Sequence, residues 1–298
     1  MGIFSFRRTP ESPVRPEAAP VASATATAEL ARRLAETEQH PLKRIPAAGL
    51  EGDAGVIAER LNARLDAFAS AEKEQQQFIA DVSHELRTPL TVLRGTLEVA
   101  LEEDRPAEEY REAIGNALLE VRHLTRLSQN LLFLARGQAG RITLSFANVD
   151  LVKFTADVVR ELVPAASDRE IELTSDLPAG PVRAFIDGDR MQQVLHNLLE
   201  NAIRYSDMGG RIGVGLKSAP DEAAIEVTDS GIGIPARDQP HVFERFFRGD
   251  RARRAYPGGS GLGLSIVRWI VEAHKGTVEV ESLPGERTTF RVRLPLIR

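Results

Sequence analysis

The chain contains no cysteine in 298 residues. Disulfides and thiolate metal sites are therefore excluded, as expected of a protein from a reducing compartment. No apolar run approaches the ~18 residues that a membrane-spanning helix needs. The opening residues 1–8 are too short in their apolar part for a signal peptide, and Phe6 stands where a myristoylation signal needs Ser or Thr. Charge of one sign is not in excess either. The net value is -5 and basic residues form only short clusters, which argues against a nucleic-acid partner. The expectation from these absences is a soluble, cytoplasmic protein.

What is present is ordinary globular material, 42% hydrophobic and 27% charged, in a length that accommodates two domains. Residues 1–27 are rich in Pro, Ala, Ser and Thr, with almost no large apolar side chain after Phe6, and read as a disordered tail. Residues 28–69 read as helix, connector and helix, the connector marked by Pro41, Pro46 and Gly49. Leu42, Ile45, Val56, Ile57, Leu61, Leu65 and Phe68 supply the apolar spacing. From Asp53 to about Glu103 the pattern is one long helix, with Pro89 predicting a bend because it cannot donate to the carbonyl of Glu85. After Asp104-Arg105-Pro106 a second long helix runs to about Arg136. Its stripe is Ile114, Leu118, Val121, Leu124, Leu127, Leu131 and Leu134, with Gly137 as the terminating cap. Two helices cannot bury both stripes alone. Two such hairpins make a four-helix bundle, so residues 70–140 are expected to form a homodimer.

Within the first long helix, Asp81, His84, Glu85 and Thr88 fall at i, i+3, i+4 and i+7 and share one face. A neutral imidazole has one protonated and one free nitrogen. The Glu85 carboxylate is placed to accept a proton from one, leaving the other as a nucleophile able to attack phosphorus. The run Asp81-Val82-Ser83-His84-Glu85-Leu86-Arg87-Thr88-Pro89-Leu90 resembles the phosphoacceptor box of bacterial sensor histidine kinases of two-component systems. The resemblance implies that His84 is phosphorylated, that Glu85 is its acid/base partner, and that Thr88 orients the water that dephosphorylates a partner response regulator. Residues 53–62 in turn resemble a degenerate HAMP signal-transfer module, although a plain coiled-coil extension accounts for the same spacing.

Residues 141–298 read as strands at 142–147, 170–175, 182–187, 211–218, 223–229, 276–282 and 287–294. Helices read at about 150–164, 189–205 and 261–274. Three helices on one side of a mixed, mainly antiparallel sheet is an α/β sandwich, so the chain as a whole is α+β. Residues 192–206 put Asn197, Asn201 and Arg204 on one helix face, and amide oxygens suit Mg²⁺. This block, Asp229-Ser230-Gly231-Ile232-Gly233-Ile234-Pro235, the phenylalanine-rich residues 242–248 and Gly258-Gly259-Ser260-Gly261-Leu262-Gly263-Leu264 resemble the ATP site of the same kinases. The same site type occurs in gyrase-type, heat-shock-chaperone and mismatch-repair ATPases.

By that resemblance Asn201 ligates Mg²⁺, Asn197 lies near the phosphates and Tyr205 lies against the adenine. Arg204 stands where the family usually has Lys. Asp229 accepts a hydrogen bond from the adenine amino group, with Gly231 and Gly233 letting the backbone pass close to the base. Gly259, Ser260, Gly261, Leu262 and Gly263 form the phosphate loop ahead of a helix. Arg248 is the candidate to neutralise charge on the transferring phosphoryl group. Gly231, Gly233 and Ala236 also fit the dinucleotide fingerprint, but Pro235 and the missing crossover to a parallel strand exclude that fold. The implied reaction moves the γ-phosphoryl group of Mg-ATP to His84 and then to an aspartate of a response-regulator receiver domain. Glu85 with Thr88 permits phosphatase action on that regulator as well. A chaperone- or mismatch-repair-type ATPase is the rival reading, and the acceptor helix ahead of the ATP domain argues against it.

Overall fold

The computed structural model describes residues 21–37, 44–46, 48–50, 52–256 and 258–296. Most of the expected tail, and Pro41 and Leu42 of the expected connector, lie outside the described residues. The chain divides into two units between Ala80 and Asp81.

In the first unit, helix α1 (Val21–Thr37) begins seven residues before the expected start, so residues 21–27 are helix and not tail. Alanine-rich sequence favours a helix as readily as a flexible tether, and composition alone does not separate them. Helix α2 (Asp53–Glu102) starts in this unit and continues unbroken through Pro89. Ile45 of the connector is 2% exposed and sits with Leu30, Ala54 and Ala58, joined by Leu50 and Leu61. The Asn62 amide clasps the same residue, accepting from the Ile45 N–H at 2.7 Å and donating to its carbonyl at 2.8 Å. Arg44 pairs with Asp66 one turn further along.

The second unit holds the rest of α2, helix α3 (Ala107–Gln138) and an α/β layer. That layer comprises β1 (Ala147–Asp150), α4 (Leu151–Ser167), β2 (Glu172–Asp176), β3 (Arg183–Ile186), α5 (Gly188–Tyr205), β4 (Arg211–Ser218) and β5 (Glu222–Asp229). It continues with α6 (Asp250–Ala255), α7 (Gly263–Ala273), β6 (Thr277–Leu283) and β7 (Arg287–Pro295). Five strands form one sheet in the order β2-β4-β5-β7-β6, parallel only between β2 and β4. Alternation decides the buried face. Ile212, Val214 and Leu216 of β4 and Phe290, Val292 and Leu294 of β7 point under the helices. Their neighbours carry a ladder of charge, with Glu226 bonded to both Lys217 and Arg291 at 2.7 Å. Helix α5 buries Met191, Val194, Leu195, Leu198, Leu199 and Ala202, a clean helical stripe, and Asp187 caps it by accepting from the Arg190 N–H at 3.1 Å.

The first expected strand, 142–147, is displaced. Residues 142–146 carry no regular structure, and β1 begins at Ala147, where pairing with Ile186 of β3 starts. The pairing partner, four residues long, sets the strand; the alternation of Ile142, Leu144 and Phe146 does not. Phe146 instead stacks on Phe185 at 5.5 Å and leans on His274 at 5.1 Å.

His274 is a structural histidine, 4% exposed. Its Nε2 must accept, because the Asp187 N–H donates to it at 2.9 Å, and its Nδ1–H then donates to the Ile270 carbonyl at 2.8 Å. Replacing His274 with Ala strands the Asp187 N–H in the core, while the Ile270 carbonyl keeps the backbone N–H of residue 274. We expect a loss of about 2–4 kcal/mol of stability, measurable as a lowered urea midpoint at unchanged m-value.

Helix α3 departs most from expectation. Gly137 does not end it; the helix runs to Gln138 and the positive φ of 63° falls at Gly140. Gly137 is a close-approach position, since a Cβ there would lie 2.6 Å from the Trp269 indole of α7. Phe133 meets the same indole edge-on at 5.0 Å. Leu127 and Leu134, read as part of the dimer stripe, are 1% and 2% exposed and belong to the core of the α/β layer. Each contributes about 1.5–3 kcal/mol by its burial. Ile114, Leu118 and Val121 of the same stripe remain about half exposed. Among the described residues no helix is long and apolar enough to cross a membrane.

Candidate nucleotide and phosphoacceptor site

A cleft of about 370 Å³ opens between α5, the end of β5 and the segment 247–264 that carries α6. Most of the expected residues line it. Asn197, Asn201, Arg204 and Tyr205 come from α5, Asp229 and Gly233 from the end of β5, and Arg248, Gly259, Ser260, Gly261 and Gly263 from the glycine-rich side. Gly231 and Leu262 do not. Gly231 serves as a close-approach residue, because a Cβ would fall 2.4 Å from the Tyr205 carbonyl oxygen. Leu262 is fully buried and its residue position caps α7.

The Asn197 amide nitrogen donates to the Gln193 carbonyl at 2.9 Å, which turns its oxygen toward Gly263. A Cβ at Gly263 would meet that oxygen at 3.0 Å, so the loop and α5 approach through glycine alone. Asn201 lines the cleft, and among the described residues its side chain makes no hydrogen bond. Asp229 is 5% exposed and accepts from the Gly231 N–H at 2.9 Å. Burial pushes its carboxyl up to about 6, against the pull of that N–H. Phe246, at φ 60°, and Gly261, at φ 68°, lock against each other, with the Phe246 N–H donating to the Gly261 carbonyl at 3.0 Å. Phe243 packs edge-on against Phe290, a core anchor.

Arg248 reaches across the loop, donating to the carbonyls of Gly259 at 2.8 Å, Ala252 at 3.2 Å and Tyr256. Arg204 lies over the Tyr256 ring at 5.4 Å. The cleft is therefore roofed by α6 and its flanks, and a helix of six residues shows no amphipathic period in the sequence.

His84, Glu85 and Thr88 stand on α2 outside the cleft lining. The His84 ring is exposed and Glu85 is half-buried. Thr88 Oγ1 donates to the His84 carbonyl at a long 3.4 Å. No hydrogen bond joins the His84 ring to the Glu85 carboxyl among the described residues. Burial raises the Glu85 carboxyl above its ordinary range, while the charges of Arg248, His123 and Arg253 pull it down and Asp81 raises it. The acceptor turn and the roof of the cleft are thus electrostatic neighbours.

Sequence reading missed the contribution of α3. His123, Arg126, Leu127 and Asn130 line the cleft, as do Thr288 and Phe290 of β7. The signal was available in the spacing of 123, 126 and 130, which is helical and lies beside an apolar stripe.

Residues 74–140 match the family described as His Kinase A (phospho-acceptor) domain. Residues 186–298 match histidine kinase-, DNA gyrase B-, and HSP90-like ATPases. The chain belongs to the two-component sensor histidine kinases. Its similarity to the probable sensor histidine kinase TcrY of Mycobacterium tuberculosis is 40% identity over 258 residues, covering 84% of this chain and 54% of TcrY. The chain spans about half the length of the curated sensor histidine kinases it matches. Among solved histidine kinases, AdeS of Acinetobacter baumannii is 25% identical with a TM-score of 0.59, covering 72% of this chain and 98% of AdeS. The histidine kinase ThkA, solved in complex with the response regulator protein TrrA, shares the fold at 23% identity and a TM-score of 0.64, covering 77% of this chain and 64% of ThkA.

Proposed function

We propose that this protein transfers the γ-phosphoryl group of ATP to His84 and from there to an aspartate of a response-regulator receiver domain. The observation that carries the reading is an exposed imidazole next in sequence to a half-buried carboxyl, on which the arginines roofing a nucleotide-sized cleft act electrostatically. Glu85 takes the proton from one ring nitrogen. The other attacks the γ-phosphorus, the bond to the bridging oxygen breaks, and ADP leaves. Thr88 then aligns water when the regulator is dephosphorylated.

Within the cleft, Asp229 receives the adenine amino group, Tyr205 flanks the base, and Asn197, Arg204 and the 259–263 loop surround the phosphates. Among the described residues no cluster of three His, Cys, Asp or Glu side chains could hold a metal. The donor set fits Mg²⁺ by another route, with the unbonded Asn201 amide oxygen completing a shell of phosphate and water oxygens. Bound there, Mg²⁺ would neutralise charge on the phosphate oxygens. Arg248 holds the roof closed over them and adds positive charge.

The domain boundaries that go with this reading are a helical linker at 21–69, an acceptor and dimerisation domain at 70–140 and an ATP domain at 141–298. Ile79, Leu90, Leu97, Ile114 and Leu118 leave an apolar face at least 40% exposed on the helices, which supports pairing with a second copy. The turn at Ala139–Gly140 is the hinge for bringing cleft and acceptor together. A cytoplasmic location follows from the use of ATP.

The test is phosphotransfer. After incubation with γ-labelled Mg-ATP the protein should carry acid-labile label, and a cognate receiver domain chosen from a panel should remove it within minutes while becoming labelled itself. Label that no receiver accepts contradicts the second half of the reading; no label at all contradicts the first.

A further inference from the structure

We propose that α3 is part of the nucleotide site, with Arg126 and His123 forming an arm that recognises the terminal phosphate of a nucleoside triphosphate. The inference rests on the nucleotide reading of the cleft and adds a determinant from a different domain. A polar triplet at helical spacing is ordinarily a solvated face. This one flanks Leu127, which is 1% exposed and itself lines the cleft, so the face is docked.

The register of α3 says which end of the ligand the arm meets. Phe133 lies beneath the Arg190 guanidinium at 5.0 Å, near the start of α5. Seven residues back along α3 is Arg126, and seven forward along α5 is Asn197, each roughly 10 Å from that anchor. Both line the cleft, which requires the two helices to run in opposite directions along it. Asn197 faces Gly263 at the N-terminus of α7, the end suited to phosphate. His123 lies one turn beyond Arg126 on the side of Arg248 and Arg253, whose charges it joins in acting on Glu85.

The charge balance agrees. Arg126, Arg204, Arg248 and Arg251 line the cleft against Glu200, Asp229 and Asp238, and a triphosphate supplies the missing negative charge. Arg126 is exposed and has no hydrogen bond or ion pair among the described residues, so its guanidinium is available to a bidentate phosphate contact. A diphosphate ends short of the arm. Discrimination between ATP and ADP is therefore set partly by α3.

Calorimetric titration of the full chain with ADP and with a non-hydrolysable ATP analogue tests this. Arg126→Ala should weaken the analogue by about tenfold and leave ADP within twofold, with Arg126→Lys in between. His123→Ala should shift the same ratio less. Unchanged affinities in Arg126→Ala would overturn the proposal, as would an equal loss for both nucleotides, which would mean that the residue acts on the whole cleft. A wild-type chain that binds neither nucleotide would instead overturn the nucleotide reading, and this inference with it.

Discussion

Replacing His84 with Gln should abolish phosphorylation while leaving the fold and the nucleotide site intact. The ring is exposed and holds nothing else in place, so stability should change by less than about 0.5 kcal/mol. His84 does not line the cleft, so nucleotide affinity should be unaltered. Glutamine keeps the size and polarity of the side chain but has no nucleophilic nitrogen, since its amide lone pair is delocalised. A titration showing normal nucleotide binding beside a complete absence of acid-labile label is the expected pair of results. Label retained in His84→Gln would move the acceptor elsewhere.

Changing Asp229 to Asn should act in opposite directions on binding and on stability. The carboxyl titrates at about 6 in the fold because it is buried, against 3.8 unperturbed. Between those values the folded protein holds more proton than the unfolded chain, so stability falls as pH rises through the window. Above pH 6 the full penalty of burying the charge is present, on the order of 2–3 kcal/mol from a shift of roughly two units. Asparagine removes it, and the apoprotein should become more stable at pH 7.5 by up to that amount, with no such gain at pH 4. Nucleotide affinity should fall at the same time by about 2–3 kcal/mol, since a charge-assisted bond to the adenine amino group is lost. On the proposed reading of the site, the nucleotide selects the ionised carboxylate of the native protein. Its dissociation constant should be flat above pH 7 and rise about tenfold per unit below pH 6. Urea denaturation and calorimetry at the two pH values separate these effects.

The elements legible in the sequence were those whose period is long or whose partner is local. The stripe of α5, the alternation of β4, β5 and β7, and the two long helices lie within a few residues of expectation. The cleft followed because its residues sit in four short blocks, and the fold brings eleven of the expected side chains and glycines to one lining. What was not legible depends on partners distant in sequence. β1 starts where β3 allows pairing, Gly137 is shaped by Trp269 and not by a helix end, and Leu127 and Leu134 belong to the core of the α/β layer although they sit in register with the stripe expected to form a dimer. Periodicity shows that a face is buried; it does not say against what. The same blindness hid His123 and Arg126, which look like solvated surface until α3 is seen to dock.

The most direct measurement is mapping the modified residue by mass spectrometry after the purified native chain has been incubated with Mg-ATP at neutral to alkaline pH, which preserves phosphoramidates. A single phosphoryl group on the imidazole of His84 is the expected result. A phosphoryl group on any other side chain, or ATP turnover that leaves the protein unmodified, would contradict the account.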